Sequence, residues 1–340
     1  MGRIKSRTVV DESVVDWLTK IPKAETHLHI EGALPYTLLR ELDPDRFPAK
    51  PFFREPGYRF PNFVEFETLL VDHAVSWYTS PERYHEACKL IFSGLADQNV
   101  KYLEASLHLA IIELTGSDGH ELIHAIKSAA PKGLEIRVIA GLTRDGYTEV
   151  MSPIIDSLPT WDDLDGIDLH GQEWLKLEAW APRIWKQCQE AGKIVKVHAG
   201  EFGGADKIYE ALDLLRAERI QHGTRAFEDP DLVQRLVDED VILDMCPISN
   251  EKLRVVEKLE DHPIRGYFDA GVACTINTDD PLCFANTLSG EYEALYDRLG
   301  FKRSELAKIA KNGFRFARMD EELKNSYIAE IDSLLPEEIE

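Results

Sequence analysis

The feature that most constrains this chain is a repeated pairing of a short apolar or β-branched run with a helix-length amphipathic segment. Eight such runs can be read: KAETHLHI (23–30), VKYLEASLHL (100–109), LEIRVIAGL (134–142), LDGIDLHG (164–171), KIVKVHAGE (193–201), RIQHG (219–223), VILDMCP (241–247) and VACTINTDDP (272–281). Segments with helical spacing of apolar residues lie between them, at 82–98, 119–130, 174–192, 205–218 and 230–240. Strands alternating with helices predict a parallel sheet, because parallel neighbours need a crossover and a helix supplies it. Eight units within about 250 residues predict an α/β fold closed into a (β/α)8 TIM barrel. An open doubly wound sheet is the main rival, but it usually carries a glycine-rich turn after its first strand. Here the first run leads instead into H-L-H-I-E-G.

The length beyond the barrel falls in two places. Residues 31–99 include the helical stretch NFVEFETLLVDHAVSWY (62–78), and residues 282–340 include SELAKIAKNGFRFAR (304–318) and EELKNSYIAEIDSLL (321–335). Neither is set off by a Gly/Ser/Pro linker. Residues 1–340 therefore read as one domain, a barrel with additional helices after strand 1 and at the C-terminus. The acidic end PEEIE (336–340) reads as a solvated tail.

Charge narrows the partners. Asp and Glu number 61 against 39 Lys and Arg, a formal net charge of -22. So acidic a surface repels phosphate backbones, and no basic patch relieves it, so a small, weakly charged substrate is favoured over RNA, DNA or an anionic membrane. No run approaches the roughly 20 apolar residues of a membrane span. The stretch MGRIKSRTVVDESVVDW lacks the apolar core of a signal peptide, so a cytoplasmic protein is expected. The five cysteines contain no C-x-x-C pair, which argues for reduced core residues and against a thiolate metal site.

Barrel chemistry gathers where strands end. His27 and His29 close the first run, and residues two apart on a strand point to the same side. Alone, that pair is equally consistent with two hydrogen-bonded structural histidines. His198 and Glu201 end the fifth run, His222 the sixth, and Asp279 and Asp280 the eighth. Each of these also has a plain reading, as a helix-capping carboxylate or a satisfied polar side chain. Their concurrence at the same end of four runs does not. Clustered histidines and carboxylates need a compensating charge, and a divalent cation supplies it. Three imidazoles and a carboxylate suit zinc with one position open to water, leaving Glu201 and His222 for proton work.

Six motifs, in order, give the chain a specific resemblance: K-A-E-T-H-L-H-I-E-G (23–32), G-I-D-L-H-G-Q-E (166–173), V-H-A-G-E (197–201), R-I-Q-H-G (219–223), C-P-I-S-N (246–250) and N-T-D-D-P (277–281). Together they resemble the adenosine deaminase family of metal-dependent amidohydrolases. The resemblance implies one zinc ion (Zn2+) per chain held by His27, His29, His198 and Asp279. It implies that Glu201 protonates purine N1, that His222 orients or deprotonates the attacking water, that Asp280 meets N7 and that the Gly171 backbone meets N3. The implied reaction is hydrolytic removal of a purine 6-amino group. Adenosine is the first expectation, with adenine or a 5′-modified analogue such as 6-amino-6-deoxyfutalosine as alternatives. Polynucleotide and cytidine deaminases use an H-x-E and P-C-x-x-C pattern that is missing here.

The motifs around the pocket depart more from the family. Glu31 stands where many adenosine deaminases carry Asp against the ribose; its longer side chain is expected to move the carboxylate outward, and H-L-H-x-E-G also occurs in adenine deaminases. D-L-H-G-Q-E, by contrast, resembles the nucleoside-type pattern. Glu31, His29 and His170 are candidate substrate contacts. His170 replaces a small residue and is expected either to be hydrogen-bonded behind its strand or to line the pocket. Ser106 and His108 share one face of the second run, and the aromatic stretch 58–66 is either a lid or core. Two other readings exist. A binuclear amidohydrolase usually bridges its metals with a lysine on strand 4, where this chain offers Asp168, His170 and Gly171. An inactive binding protein would be free to lose its ligands, and this chain keeps each of them together with Glu201.

Overall fold

The structure, a computed structural model, describes residues 12–335; the acidic tail 336–340 and most of the N-terminal stretch lie outside the described residues. Eight parallel strands pair in chain order: β1 (Lys23–His29), β2 (Val100–His108), β3 (Glu135–Thr143), β4 (Gly166–His170), β5 (Ile194–Ala199), β6 (Arg219–His222), β7 (Ile242–Met245) and β8 (Ala273–Ile276). Helices follow the strands, giving the expected TIM barrel. The seam between the first and last strands closes just past β8. His29 N–H donates to Asp279 O and Asp279 N–H to His27 O, each at 3.1 Å, and Leu28 bridges Asp279. The strands end earlier than the apolar runs suggest, so Glu201, Asp279 and Asp280 sit in the loops just beyond β5 and β8.

The β1–β2 register slips by one residue between Glu25 and Leu28. Such a bulge re-aims the side chains beside it, here just where His27 and His29 leave the strand. One layer deeper lies a buried charge network. Lys196 is two residues before His198 and shares its side of β5. It reaches Glu104 Oε2 at 3.2 Å, while Arg219 bonds Glu104 Oε1 at 2.5 Å and Asp244 Oδ2 at 2.9 Å. Thr26 and Thr275 also donate to Asp244, at 2.9 and 2.7 Å. Burial alone would raise the Asp244 carboxyl, but Arg219 and Lys196 hold it below its ordinary value.

The extra helices fall where expected, including Phe63–Trp77 and Pro81–Asp97 before β2 and Arg303–Arg315 and Glu321–Ser333 after β8. Asn62 caps the helix Phe63–Trp77 by accepting from Glu65 N–H. One expectation is corrected: the helix proposed for 174–192 begins only at Trp180. Glu173 accepts the N–H groups of Glu201, Phe202 and Gly203. That anchors the chain across the barrel mouth and leaves Trp174 half exposed instead of in a helical stripe. All five cysteines are free and buried, and no described helix is long and apolar enough to cross a membrane.

Removing one partner of a buried ion pair typically costs about 3–5 kcal/mol, because the other charge is left unpaired in low dielectric. Arg219→Met is therefore expected to lower the urea unfolding midpoint by a corresponding amount. A loss under about 1 kcal/mol would show that the network contributes little.

Candidate active site

At the C-terminal end of the barrel, four side chains converge on one point. His198 Nε2 lies 3.1 Å from His27 Nε2 and 3.3 Å from His29 Nε2. Asp279 Oδ1 lies 3.2 and 3.3 Å from the same two nitrogens of His27 and His29. These spacings match the edges of a tetrahedron built on metal–ligand bonds of about 2.0–2.1 Å. Two of the three imidazoles are held by their far nitrogens. His27 Nδ1 faces Asp244 O at 3.1 Å, and His198 Nδ1 faces Asp168 at 3.1–3.2 Å. That leaves the Nε2 lone pairs pointing at the common centre, where they repel one another unless a cation lies between them. Ser249 Oγ donates to Asp279 Oδ2 at 2.7 Å and fixes the carboxylate. The residues present fit a single divalent ion. Cys246 Sγ comes within 3.4 Å of His27 Nδ1, but burial and Asp279 push its thiol well up, so it stays a neutral neighbour.

Backbone strain helps to set this geometry. His222 and Asp279 both have φ of +64°, a left-handed conformation that costs about 1–3 kcal/mol for a residue with a β-carbon. Gly32 is required for a different reason. A β-carbon there would lie 1.6 Å from Asp280 Oδ1, so the glycine makes room for that carboxyl. Asp280 Oδ1 is buried with no hydrogen-bond partner in the chain, and it borders the cavity.

The acids divide into two kinds. Burial and the adjacent Asp279 push the Asp280 carboxyl well above its ordinary value. Burial, Asp279, Glu173 and Asp280 do the same to Glu201. For Asp279 burial works in the same direction, but His27 and His29, which both meet its carboxylate, overcome it and hold it ionised. Proton donors thus stand beside a permanent anion.

The cavity above these groups has a volume of about 350 Å³. Its inner wall carries His29, Glu31, His170, Gly171, Glu201, His222 and Asp280, so every sequence-derived catalytic and substrate candidate borders it. Its outer wall is apolar and comes largely from the helix Phe63–Trp77, through Phe63, Phe66, Leu70, Val71 and Ala74, together with Ile111 and Leu253. The aromatic stretch 58–66 therefore divides: Phe60 joins the core, while Phe63 and Phe66 roof the site. Gln172 Nε2 donates to Glu67 Oε2 at 3.1 Å and ties this roof to the loop after β4. No lysine or arginine lines the cavity among the described residues.

Glu31 departs from its expected outward pose. Its carboxylate turns inward, taking the Tyr84 hydroxyl at 2.6 Å and the His108 N–H at 3.2 Å. His170 takes the second of its expected settings, and its hydrogen bond lies on the cavity wall, not behind the strand. It lines the cavity, stacks on His29 with centroids 5.4 Å apart, and hydrogen-bonds through Nε2 to His108 Nδ1 at 3.0 Å. Ser106 Oγ lies nearby, buried without a partner. Sequence reasoning assigned no part to Tyr84, Asp168, Ser249, Asn250 or His262. Asp168, Ser249 and Asn250 lie inside quoted motifs; Tyr84 and His262 carry no local signal.

The adenosine deaminase family profile matches residues 22–334. An adenine deaminase from Streptomyces coelicolor is 33% identical over 330 residues, covering 94% of this chain and 97% of that one. The structure of an adenine deaminase from Arthrobacter aurescens has a TM-score of 0.81 at 29% identity, covering 92% of this chain and 98% of that one. An amidohydrolase from Burkholderia ambifaria with bound zinc shares the fold, with a TM-score of 0.83 at 21% identity over 97% and 96% of the two chains. The match over nearly the whole chain shows that this chain belongs to the adenosine deaminase family and is a hydrolytic deaminase.

Proposed function

We propose that the protein deaminates adenine at C6, releasing hypoxanthine and ammonia, with one zinc ion held by His27, His29, His198 and Asp279. The observation that carries the reaction type is the convergence of Glu201, His222 and Asp280 on the tetrahedral ligand set inside one cavity. Zinc at those ligands supplies a Lewis acid that makes water a nucleophile near neutral pH. The protein supplies the rest. Glu201, kept protonated by burial and its acidic neighbours, donates to N1 and so makes C6 electrophilic. Asp280, also protonated and lacking a partner on Oδ1, donates to N7. Both donors are aimed where the ring gains charge and need no reorganisation in the reaction. Gly171 brings its backbone to the N3 side. The apolar roof of Phe63, Phe66 and Leu70 excludes bulk water from the ring faces.

Two observations move the substrate from adenosine, the first expectation, to adenine. The relatives aligned over nearly their full length, from Streptomyces coelicolor and Cupriavidus taiwanensis, are adenine deaminases. The cavity also carries a bonded imidazole pair, His108 and His170. Two neutral rings sharing one hydrogen bond present one N–H and one lone pair at their outer nitrogens. An outer nitrogen that carries the lone pair can accept the N9–H of a free base, a group that a ribose on N9 removes. Nucleotides are disfavoured further, since Glu31 and Glu67 border the cavity and, among the described residues, no lysine or arginine does.

Steady-state assays following loss of the adenine ultraviolet band are expected to give kcat/KM at least ~10²-fold higher for adenine than for adenosine or AMP, since a polar site left unpaired discriminates strongly. Equal rates on adenosine would overturn the free-base reading and leave the deaminase chemistry standing. Glu201→Gln keeps the shape but cannot pass a proton. It is expected to lower kcat by about 10²–10⁴ with metal content unchanged. Activity near wild type would show that the proton donor is another group.

A further inference from the structure

His222 and Glu201 share a buried partner outside the ligand set. Asn250 Nδ2 lies 3.2 Å from His222 Nδ1 and 3.5 Å from Glu201 Oε1. The opposite end of the amide, Oδ1, faces Thr224 Oγ1 and His262 Nε2, each at 3.1 Å. His262 Nδ1 in turn meets the backbone N–H of Ile264 at 3.2 Å. His222, Thr224, Asn250 and His262 are all buried, so these contacts are made within the chain.

Proton positions follow in sequence from the backbone. The Ile264 N–H can only donate, so His262 Nδ1 carries a lone pair and the ring's proton is on Nε2. His262 Nε2–H therefore donates to Asn250, which makes the facing atom Oδ1. The Thr224 hydroxyl could donate or accept and would fit either amide orientation; His262 is the residue that decides. The NH2 end of Asn250 is then presented to His222 Nδ1, which must accept. An imidazole with a lone pair on Nδ1 is neutral and holds its proton on Nε2. That nitrogen borders the cavity, 3.5 Å from Glu201 Oε2.

We infer that Ile264, His262 and Asn250 form a relay that locks His222 as its Nε2–H tautomer, so that His222 enters the reaction as a hydrogen-bond donor and not as a base. In the catalytic step its N–H holds the incoming oxygen. As the C6–O bond forms, the C6=N1 π bond opens and its electron pair goes to N1, which takes the Glu201 proton; one O–H bond of the water breaks and that proton passes to the Glu201 carboxylate so freed. Asn250 and His262 are positioning residues. The catalytic consequence rests on the deaminase reading, whereas the tautomer is measured with no substrate present.

The test is nitrogen-15 NMR of the histidine-labelled, metal-loaded protein, with His222 assigned by its absence from His222→Gln. Long-range proton–nitrogen couplings distinguish the two tautomers and the imidazolium. The Nε2–H pattern is expected; an Nδ1–H or doubly protonated His222 overturns the inference, whatever the substrate. Asn250→Asp exchanges the donor for an acceptor and is expected to move the proton to Nδ1. The accompanying fall in kcat is about 10²–10⁴ with KM changed little, as for other wrong-tautomer variants. His262→Gln keeps a donor and is expected to retain most of kcat, while His262→Leu loses about tenfold or more through a mixed tautomer population. If Asn250→Asp and His262→Leu both keep wild-type kcat, the relay does not position His222. If a variant fails to fold, the wild-type spectrum alone decides.

Discussion

The site depends on the seam that closes the barrel. Two main-chain hydrogen bonds, His29 N–H to Asp279 O and Asp279 N–H to His27 O, stitch the residues past β8 onto the end of β1. They complete the cylinder, and they set one carboxylate beside two imidazoles without relying on side-chain flexibility. His198 completes the set from the opposite wall, on a strand fixed below by Lys196. A cluster of this kind is unfavourable on its own, since three inward-facing nitrogens and a carboxylate are desolvated together. A bound cation relieves the repulsion, so metal binding and local stability are coupled.

The same seam sorts the acids. Asp279 and Asp280 are neighbours in sequence, yet histidines hold the first ionised while burial and Asp279 itself keep the second protonated. Glu201 falls on the protonated side for the same reasons. An anion for the metal thus stands next to donors for the purine ring, within one stretch of the barrel rim. Gly32 is part of this design, because any side chain there would occupy the place of the Asp280 carboxyl.

Much of the fold and the site was legible along the chain. The eight apolar runs became eight strands, and H-L-H, H-A-G-E, Q-H-G and T-D-D placed the reactive residues at one end because chemistry in a barrel needs them at strand ends. What stayed hidden was the partner of each residue. Asp168 against His198, and Tyr84 against Glu31, join segments brought together only by the closed barrel and its first insert. His262 meets Asn250 across a turn with no periodic signal. The inward pose of Glu31 was missed because its length suggested reach, whereas the Tyr84 hydroxyl and the His108 N–H reward burial. The helix at Trp180 started late because a tertiary contact, Glu173 with the loop after β5, overrode local helical preference.

Metal stoichiometry set against turnover tests the central claim most directly. Elemental analysis of the purified protein is expected to show one zinc per chain. Chelation should abolish adenine deamination, and titrating zinc back should restore it with an endpoint at one equivalent, while Asp279→Ala should fail to regain either metal or activity. Turnover that persists in metal-stripped protein, or that requires two ions per chain, would contradict a single tetrahedral site built on the β1–β8 seam.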